Sequence, residues 1–171
     1  RHADAARPAL SGWLGHQAPF AFDTSYRPGA GIERMRVGTP PVLALAALEA
    51  ALDIWDMTTM QDIRAASIAL TERFITGIEA SCPMLALATP REAALRGSQV
   101  SFRFPDGYAA MQALIARGVV GDFRAPDIMR FGFTPLFIDA RDVDSAIAII
   151  ADVMTHDLWD RPEYKNRARV T

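Results

Sequence analysis

Lysine is almost missing from this chain: of 18 basic residues only Lys165 is a lysine, and it lies in the polar tail YKNRARV. Chemistry that requires a buried, activated lysine therefore cannot come from these residues. Cysteine is equally scarce, and a lone Cys82 excludes an internal disulfide and a cysteine-based metal centre, which favours a reducing compartment. Positive charge is not in excess. A net charge of −2 leaves no basic surface of the kind a nucleic-acid binder needs, so nucleic acid is not an expected partner. No apolar run reaches about 18 residues and no signal peptide is visible, so the expectation is a soluble cytoplasmic protein without a membrane partner. The chain also lacks a phosphate-binding glycine loop, a G-x-S-x-G elbow and a nucleophile accompanied by base and orienter. His16 has no second histidine or carboxylate at metal-ligand spacing, so no metal site is expected.

What is present is a chain of 171 residues, half of them hydrophobic, enough for one real core and a small appendage. It opens on Arg1 with RHADAARPAL, which has no start-like character, so a longer parent chain is expected. Residues 1–39 read as an irregular arm rich in glycine, proline and aromatic residues. From Pro40 to about Trp55, the positions Val42, Leu45, Leu48, Leu52 and Trp55 recur at helical spacing, with Thr39 as the expected cap and Pro40 in the first helical position. A second helix, capped by Thr58 or Thr59, continues through Ile63, Leu70, Phe74 and Ile78 to Cys82 and Pro83. These two make a pair of linking helices over 40–82.

Beyond Pro83 the period changes. MLALAT is a strand candidate, and QVSFRF alternates Val100, Phe102 and Phe104 against polar neighbours. YAAMQALIARG predicts a helix ended by Gly118, VVGDF is strand-like, DIMRFGF alternates again, and a last helix runs from about Arg141 to Trp159. The order β-β-α-β-β-α over 83–171 predicts a small α+β domain with a mostly antiparallel sheet and helices on one face.

Four residues stand out as candidates for binding. The pleat of DIMRFGF separates Met129, Phe131 and Phe133 from Arg130 and Gly132. Arg130 then projects from the non-core face, where its guanidinium fork matches a carboxylate and Gly132 offers no obstruction. A solvated strand arginine, or a surface ion pair with Asp122 or Asp127, explains the same pattern. Gly38 and Thr39, ahead of two prolines, allow a ligand close to backbone donors at a helix start, and a purely structural cap explains them equally. Trp13 in GWLGH offers an indole N–H to a phosphate or a ring for stacking, or else an anchor for packing. Asp122 and Arg124 read as a turn held by a local ion pair.

GWLGH, GIERMRVGTPPVLALAALEAALDIWD, RGSQVSFRF and RGVVGDFRAPDIMRFGFTPLFIDARDVDSAI, in that order and spacing, resemble the C-terminal part of the kynureninases over nearly the whole chain. The resemblance implies a pyridoxal 5′-phosphate enzyme of the aspartate aminotransferase fold type. It implies a homodimer with active sites at the subunit interface, hydrolysing L-kynurenine to anthranilate and L-alanine in tryptophan catabolism. It further implies that Trp13 and Thr39 contact the cofactor phosphate region, that Arg130 holds the substrate α-carboxylate, and that Gly38 lies against the substrate. Some relatives carry serine at the position of Gly38 and an aromatic at that of Leu14, so a side-chain hydrogen bond and one ring contact are absent here. The lysine that carries the cofactor, the aspartate facing its pyridine nitrogen and the stacking aromatic lie upstream in the family's order, so these 171 residues alone are expected to be inactive. Two alternatives stay open: a preference for 3-hydroxykynurenine, and a stand-alone α+β ligand-binding or regulatory module.

Overall fold

The computed structural model describes residues 2–166. Arg1 and the last five residues of the expected C-terminal domain lie outside that range. The chain divides into two compact units between Met57 and Thr58.

In the first unit, short 3-10 turns and isolated backbone bonds replace regular structure up to α1 (Val42–Leu52). Gly29 N–H donates to the Gly15 carbonyl at 2.8 Å, His16 bridges Pro28, and Gln17 N–H donates to the Arg27 carbonyl at 2.7 Å, so the arm folds back on itself. The buried guanidinium of Arg34 fastens it, donating from Nε to the Gly29 carbonyl at 3.1 Å and from Nη1 to the Asp4 carbonyl at 2.5 Å. The start of α1 differs from the sequence expectation. Its N-cap is Pro41, with no side-chain cap, and Thr39 lies outside the helix two residues earlier. The tandem prolines explain the shift, because a residue that precedes proline is driven out of helical geometry, and this applies to Thr39 and then to Pro40. Every residue of α1 is exposed, Leu43 at 88%, although its sequence VLALAALEAAL is apolar almost all round. Such a helix calls for burial against a partner.

The second unit begins with α2 (Met60–Ser81), whose Thr59 hydroxyl accepts from Asp62 N–H at 3.1 Å, as a capping threonine does. Four strands follow: β1 (Ala86–Leu87), β2 (Gln99–Arg103), β3 (Asp122–Arg124) and β4 (Ile128–Gly132). They pair antiparallel throughout in the order β1-β2-β4-β3. Helix α3 (Gly107–Ile115) connects β2 to β3, α4 (Ala140–Thr155) follows β4, and α5 (Pro162–Lys165) closes the described chain. The result is an α+β domain with an antiparallel sheet.

The core explains the layering. Val100, Phe102, Met129 and Phe131 point from the sheet into one buried cluster with Phe74, Ile75 and Ile78 of α2, Met111 and Leu114 of α3, and Val143, Ile150 and Val153 of α4. Phe74, 2% exposed, sits centrally, with ring centroids 5.1 Å from both Phe131 and Phe133. The opposite face carries Gln99, Ser101, Arg103 and Arg130. Two boundaries move for identifiable reasons. Gly118 takes φ +88° and Val119 N–H returns to the Leu114 carbonyl, so Val119 still terminates α3 and the strand begins only at Asp122. Helix α4 ends at Thr155, before a left-handed Asp157, and Trp159 packs on Phe104 from the turn beyond. Among the described residues no helix is long and apolar enough to cross a membrane.

Candidate functional site

The β3–β4 hairpin turns through Ala125 and Pro126, joined by a cis peptide bond, and its register sets Asp122 directly across from Arg130. On the other side of β4, Ser101 of β2 is the cross-strand neighbour of Arg130, and Gln99 pairs with Gly132. Close approach of the two strands depends on Gly121: a Cβ there would stand 2.7 Å from the Arg130 carbonyl oxygen. Gly132 is the opposite case, because a Cβ there would meet nothing within 4 Å. Arg130 therefore lies on the polar face with open space one pleat along the strand.

Its guanidinium is engaged on one edge. Nε donates to Asp122 Oδ1 at 2.5 Å and Nη2 donates to Asp122 Oδ2, a side-on bidentate pair. The other carboxylate suggested by sequence, Asp127, is taken by Arg103 at 3.1 Å. Arg124 adds a second cation 3.6 Å from Asp122 Oδ2. The hydrogen bond from Arg130 holds the Asp122 carboxyl below its ordinary value of 3.8, and the same bond raises Arg130 above the usual guanidinium range. The side chain of Arg130 is 29% exposed, and its remaining donors have no partner among the described residues. A fixed cation with free N–H groups on an open sheet face can take a carboxylate end-on.

In the first unit, Trp13 is half exposed and donates its indole N–H to the Pro19 carbonyl at 2.7 Å, while its ring packs edge-on against Phe20. It lines a cleft of about 370 Å³ with Gly12, His16, Phe22, Asp23 and Tyr26. His16 accepts from Ala18 N–H on Nδ1 and faces the Ser25 carbonyl with Nε2, an arrangement that requires the neutral tautomer protonated on Nε2. Asp23, its carboxyl held low chiefly by the Ser25 N–H, places negative charge in this cleft. Gly38 and Thr39 are exposed, a Cβ on Gly38 would meet nothing within 4 Å, and the Thr39 hydroxyl has no partner among the described residues. The free N–H groups that open α1 thus lack a side-chain cap just beyond an unoccupied hydroxyl.

Three other groups are accounted for. Lys165 pairs with Asp160 and lies 5.9 Å over the Trp159 ring, and that pairing raises its pKa above 10.5, the reverse of what an amine nucleophile needs. Cys82 is buried, and burial pushes its thiol up. Among the described residues no group of three or more His, Cys, Asp or Glu could hold a metal ion. The Asp122–Arg130 pairing had a signal in the sequence, since a hairpin centred on Pro126 sets residues 122 and 130 opposite each other. The Trp13–Pro19 bond had none.

Comparison with known proteins gives a consistent family. The model of the kynureninase C-terminal domain matches residues 63–150. A curated kynureninase of Burkholderia mallei (strain SAVP1) is 46% identical over 173 aligned residues, covering 100% of this chain and 42% of the relative. That of Pseudomonas fluorescens is 46% identical, covering 95% of this chain and 39% of the relative. The chain thus spans about two fifths of the length of these relatives. Among solved structures, a cysteine desulfurase from Thermococcus onnurineus NA1 superposes with a TM-score of 0.73 at 16% identity, over 91% of this chain and 41% of that one. A C-DES variant with glycine covalently linked to its PLP cofactor superposes at 0.70 with 24% identity, over 85% of this chain and 38% of that one. At these identities the structural likeness concerns the fold.

Proposed function

Since this chain belongs to the kynureninase C-terminal domain family, we propose that it is the C-terminal segment of a pyridoxal 5′-phosphate-dependent hydrolase that cleaves L-kynurenine to anthranilate and L-alanine. In this reading residues 1–39 are the arm that completes the cofactor site, 40–82 the linking helices, and 83–171 the small domain that binds the substrate's carboxylate. The observation that carries it is Arg130: a cation fixed on an open sheet face, with donors to spare, in a chain that matches kynureninases along its whole length.

The residues present fit the phosphate end of the cofactor. The uncapped start of α1 offers backbone N–H groups and the positive end of a helix dipole, and Thr39 adds a free hydroxyl. Trp13, whose indole N–H is held by the Pro19 carbonyl, would be a further donor for the phosphate. Pyridoxal 5′-phosphate, when bound, supplies an electron sink for the carbanion at the substrate Cα. The described chain contributes binding and orientation: Arg130 holds the α-carboxylate end-on, and Gly38 lets the substrate approach the backbone without a side chain between them. Lys165, tied to Asp160, is not the cofactor's anchor, so the segment alone is inactive and the anchoring lysine belongs to the rest of the protein. The exposed apolar surface of α1 is the natural face for the rest of the enzyme and its second subunit, as a cytoplasmic homodimer.

The test is anthranilate release from L-kynurenine by the full-length protein supplied with cofactor. Arg130→Ala should lower kcat/KM by about 2–5 kcal/mol, the range for losing the partner of a bound charge. An inert wild type removes the substrate assignment, and an active enzyme indifferent to Arg130→Ala removes the site.

A further inference from the structure

An arginine on a strand has a long, flexible side chain, and freezing it on a ligand costs rotamer entropy unless something already holds it. In this structure something does. Asp122 stands directly opposite Arg130 across the β3–β4 ladder and takes the Nε/Nη2 edge of the guanidinium with both carboxylate oxygens. Of the five N–H donors of an arginine, that leaves three: both on Nη1 and one on Nη2. The outward pair forms a second fork, and no residue of the described chain fills it. A carboxylate so close to an anion-binding cation would ordinarily weaken it. Here Arg124, 3.6 Å from the same Asp122 oxygen, offsets that charge, so Arg124, Asp122 and Arg130 together carry one net positive charge. Asp127 does not compete for Arg130, because Arg103 holds it at 3.1 Å.

We propose that Asp122 is a positioning residue: it clamps the inner edge of Arg130 so that the outer fork is presented ready-made to the substrate's α-carboxylate, with Arg124 compensating the charge of the clamp. This rests on the reading of Arg130 as the carboxylate anchor. Arg73 and Asp144 form the same side-on pair between α2 and α4, away from the sheet face, and supply the control: a pair of equal geometry with no ligand to present.

The experiment uses the full-length holoenzyme and the variants Asp122→Ala, Asp122→Asn, Arg130→Ala and Asp144→Asn. It measures kcat and KM for anthranilate release and, by calorimetry, the affinity for L-alanine and for ethylamine, which is L-alanine without its carboxylate. Asp122→Ala should raise KM and weaken L-alanine binding by about tenfold, with kcat changed less than about threefold and ethylamine affinity unchanged. Asp122→Asn, which keeps one oxygen acceptor, should fall between the two, and Asp144→Asn should match wild type. Tighter L-alanine binding by Asp122→Ala or Asp122→Asn would overturn the proposal by showing that Asp122 competes with the ligand. Unchanged KM in both, with KM raised in Arg130→Ala, would overturn it while leaving the anchor in place. Unchanged KM in Arg130→Ala as well would remove the anchor itself, and the clamp with it.

Discussion

Gly132 separates the needs of the fold from those of the site. It sits in β4, paired with Gln99, one pleat beyond Arg130 on the same face and about 7 Å along the strand. Gly132 is the last residue of β4, and glycine in a strand costs up to roughly 0.5–1 kcal/mol against a residue with a side chain, while β-branched residues are the ones strands favour. A Cβ at this position would meet nothing within 4 Å, so there is no steric reason to omit it. Gly132→Val should therefore stabilise the 171-residue chain by about 0.5–1 kcal/mol, a rise in Tm of about 1–4 °C for a chain of this size. In the full-length enzyme the same isopropyl group would stand where a carboxylate approaches Arg130, and KM for L-kynurenine should rise about tenfold, or about 1.4 kcal/mol. Thermal melts of the segment and anthranilate kinetics of the parent read the two effects separately, and Gly132→Ala should give a smaller version of each. A destabilised segment would mean the space is not open. A stabilised segment with unchanged KM would mean that no ligand comes to this side of β4, which would refute the argument from Gly132 to the site.

Phe74→Ala, which empties the position between Phe102, Phe131 and Phe133, should cost about 3–5 kcal/mol in urea unfolding; a loss below about 1 kcal/mol would show that α2 is not packed on the sheet as described. The pH dependence follows from Asp122 and Asp144, whose carboxyls are held below 3.8 by Arg130 and Arg73. Their folded pKa values lie under the unfolded one, so both pairs stabilise the fold fully above about pH 4 and lose that contribution as pH falls through the folded values. Melts of wild type and of the double variant Asp122→Asn with Asp144→Asn should accordingly begin to converge as pH falls below about 4, and a gap that persists undiminished in acid would contradict the assignment.

The elements that could be read from the sequence are those where one local rule decides. Helix α2 is such a case: Leu70, Phe74 and Ile78 keep helical spacing to the core, and Thr59 caps it as expected. In β4, strict alternation puts Met129 and Phe131 inside and Arg130 outside, and the structure has the same phase. Where two local rules compete, the boundary was lost. At α1 the capping preference of Thr39 yields to two successive prolines, and at Val119 a strand-like apolar run yields to the hydrogen bonds that finish α3. For the site, the sequence offered Arg130 two carboxylates, and the choice fell to a residue far along the chain: Arg103, on β2, removes Asp127 from the competition.

The remaining difficulty in such an arginine-rich chain is that residue type says nothing about employment, whereas donor use does. Arg34 and Arg96 are buried, and they spend their N–H groups within the fold: Arg34 on the Gly29 and Asp4 carbonyls, Arg96 on the Pro90 and Arg91 carbonyls from Nη1 and on Glu72 and the Thr71 hydroxyl from Nη2. Arg96 even leaves a buried Nε unpaired, which a structural tie tolerates and a binding site would not waste. Arg73 is half exposed and joins two helices through Asp144, a surface pair of the kind that contributes little. Arg130 alone among these combines a firmly held inner edge, a free outer fork and a neighbouring glycine with empty space above it. Pairing by itself does not separate Arg130 from Arg73, since the geometry is the same. What separates them is what surrounds the unpaired edge.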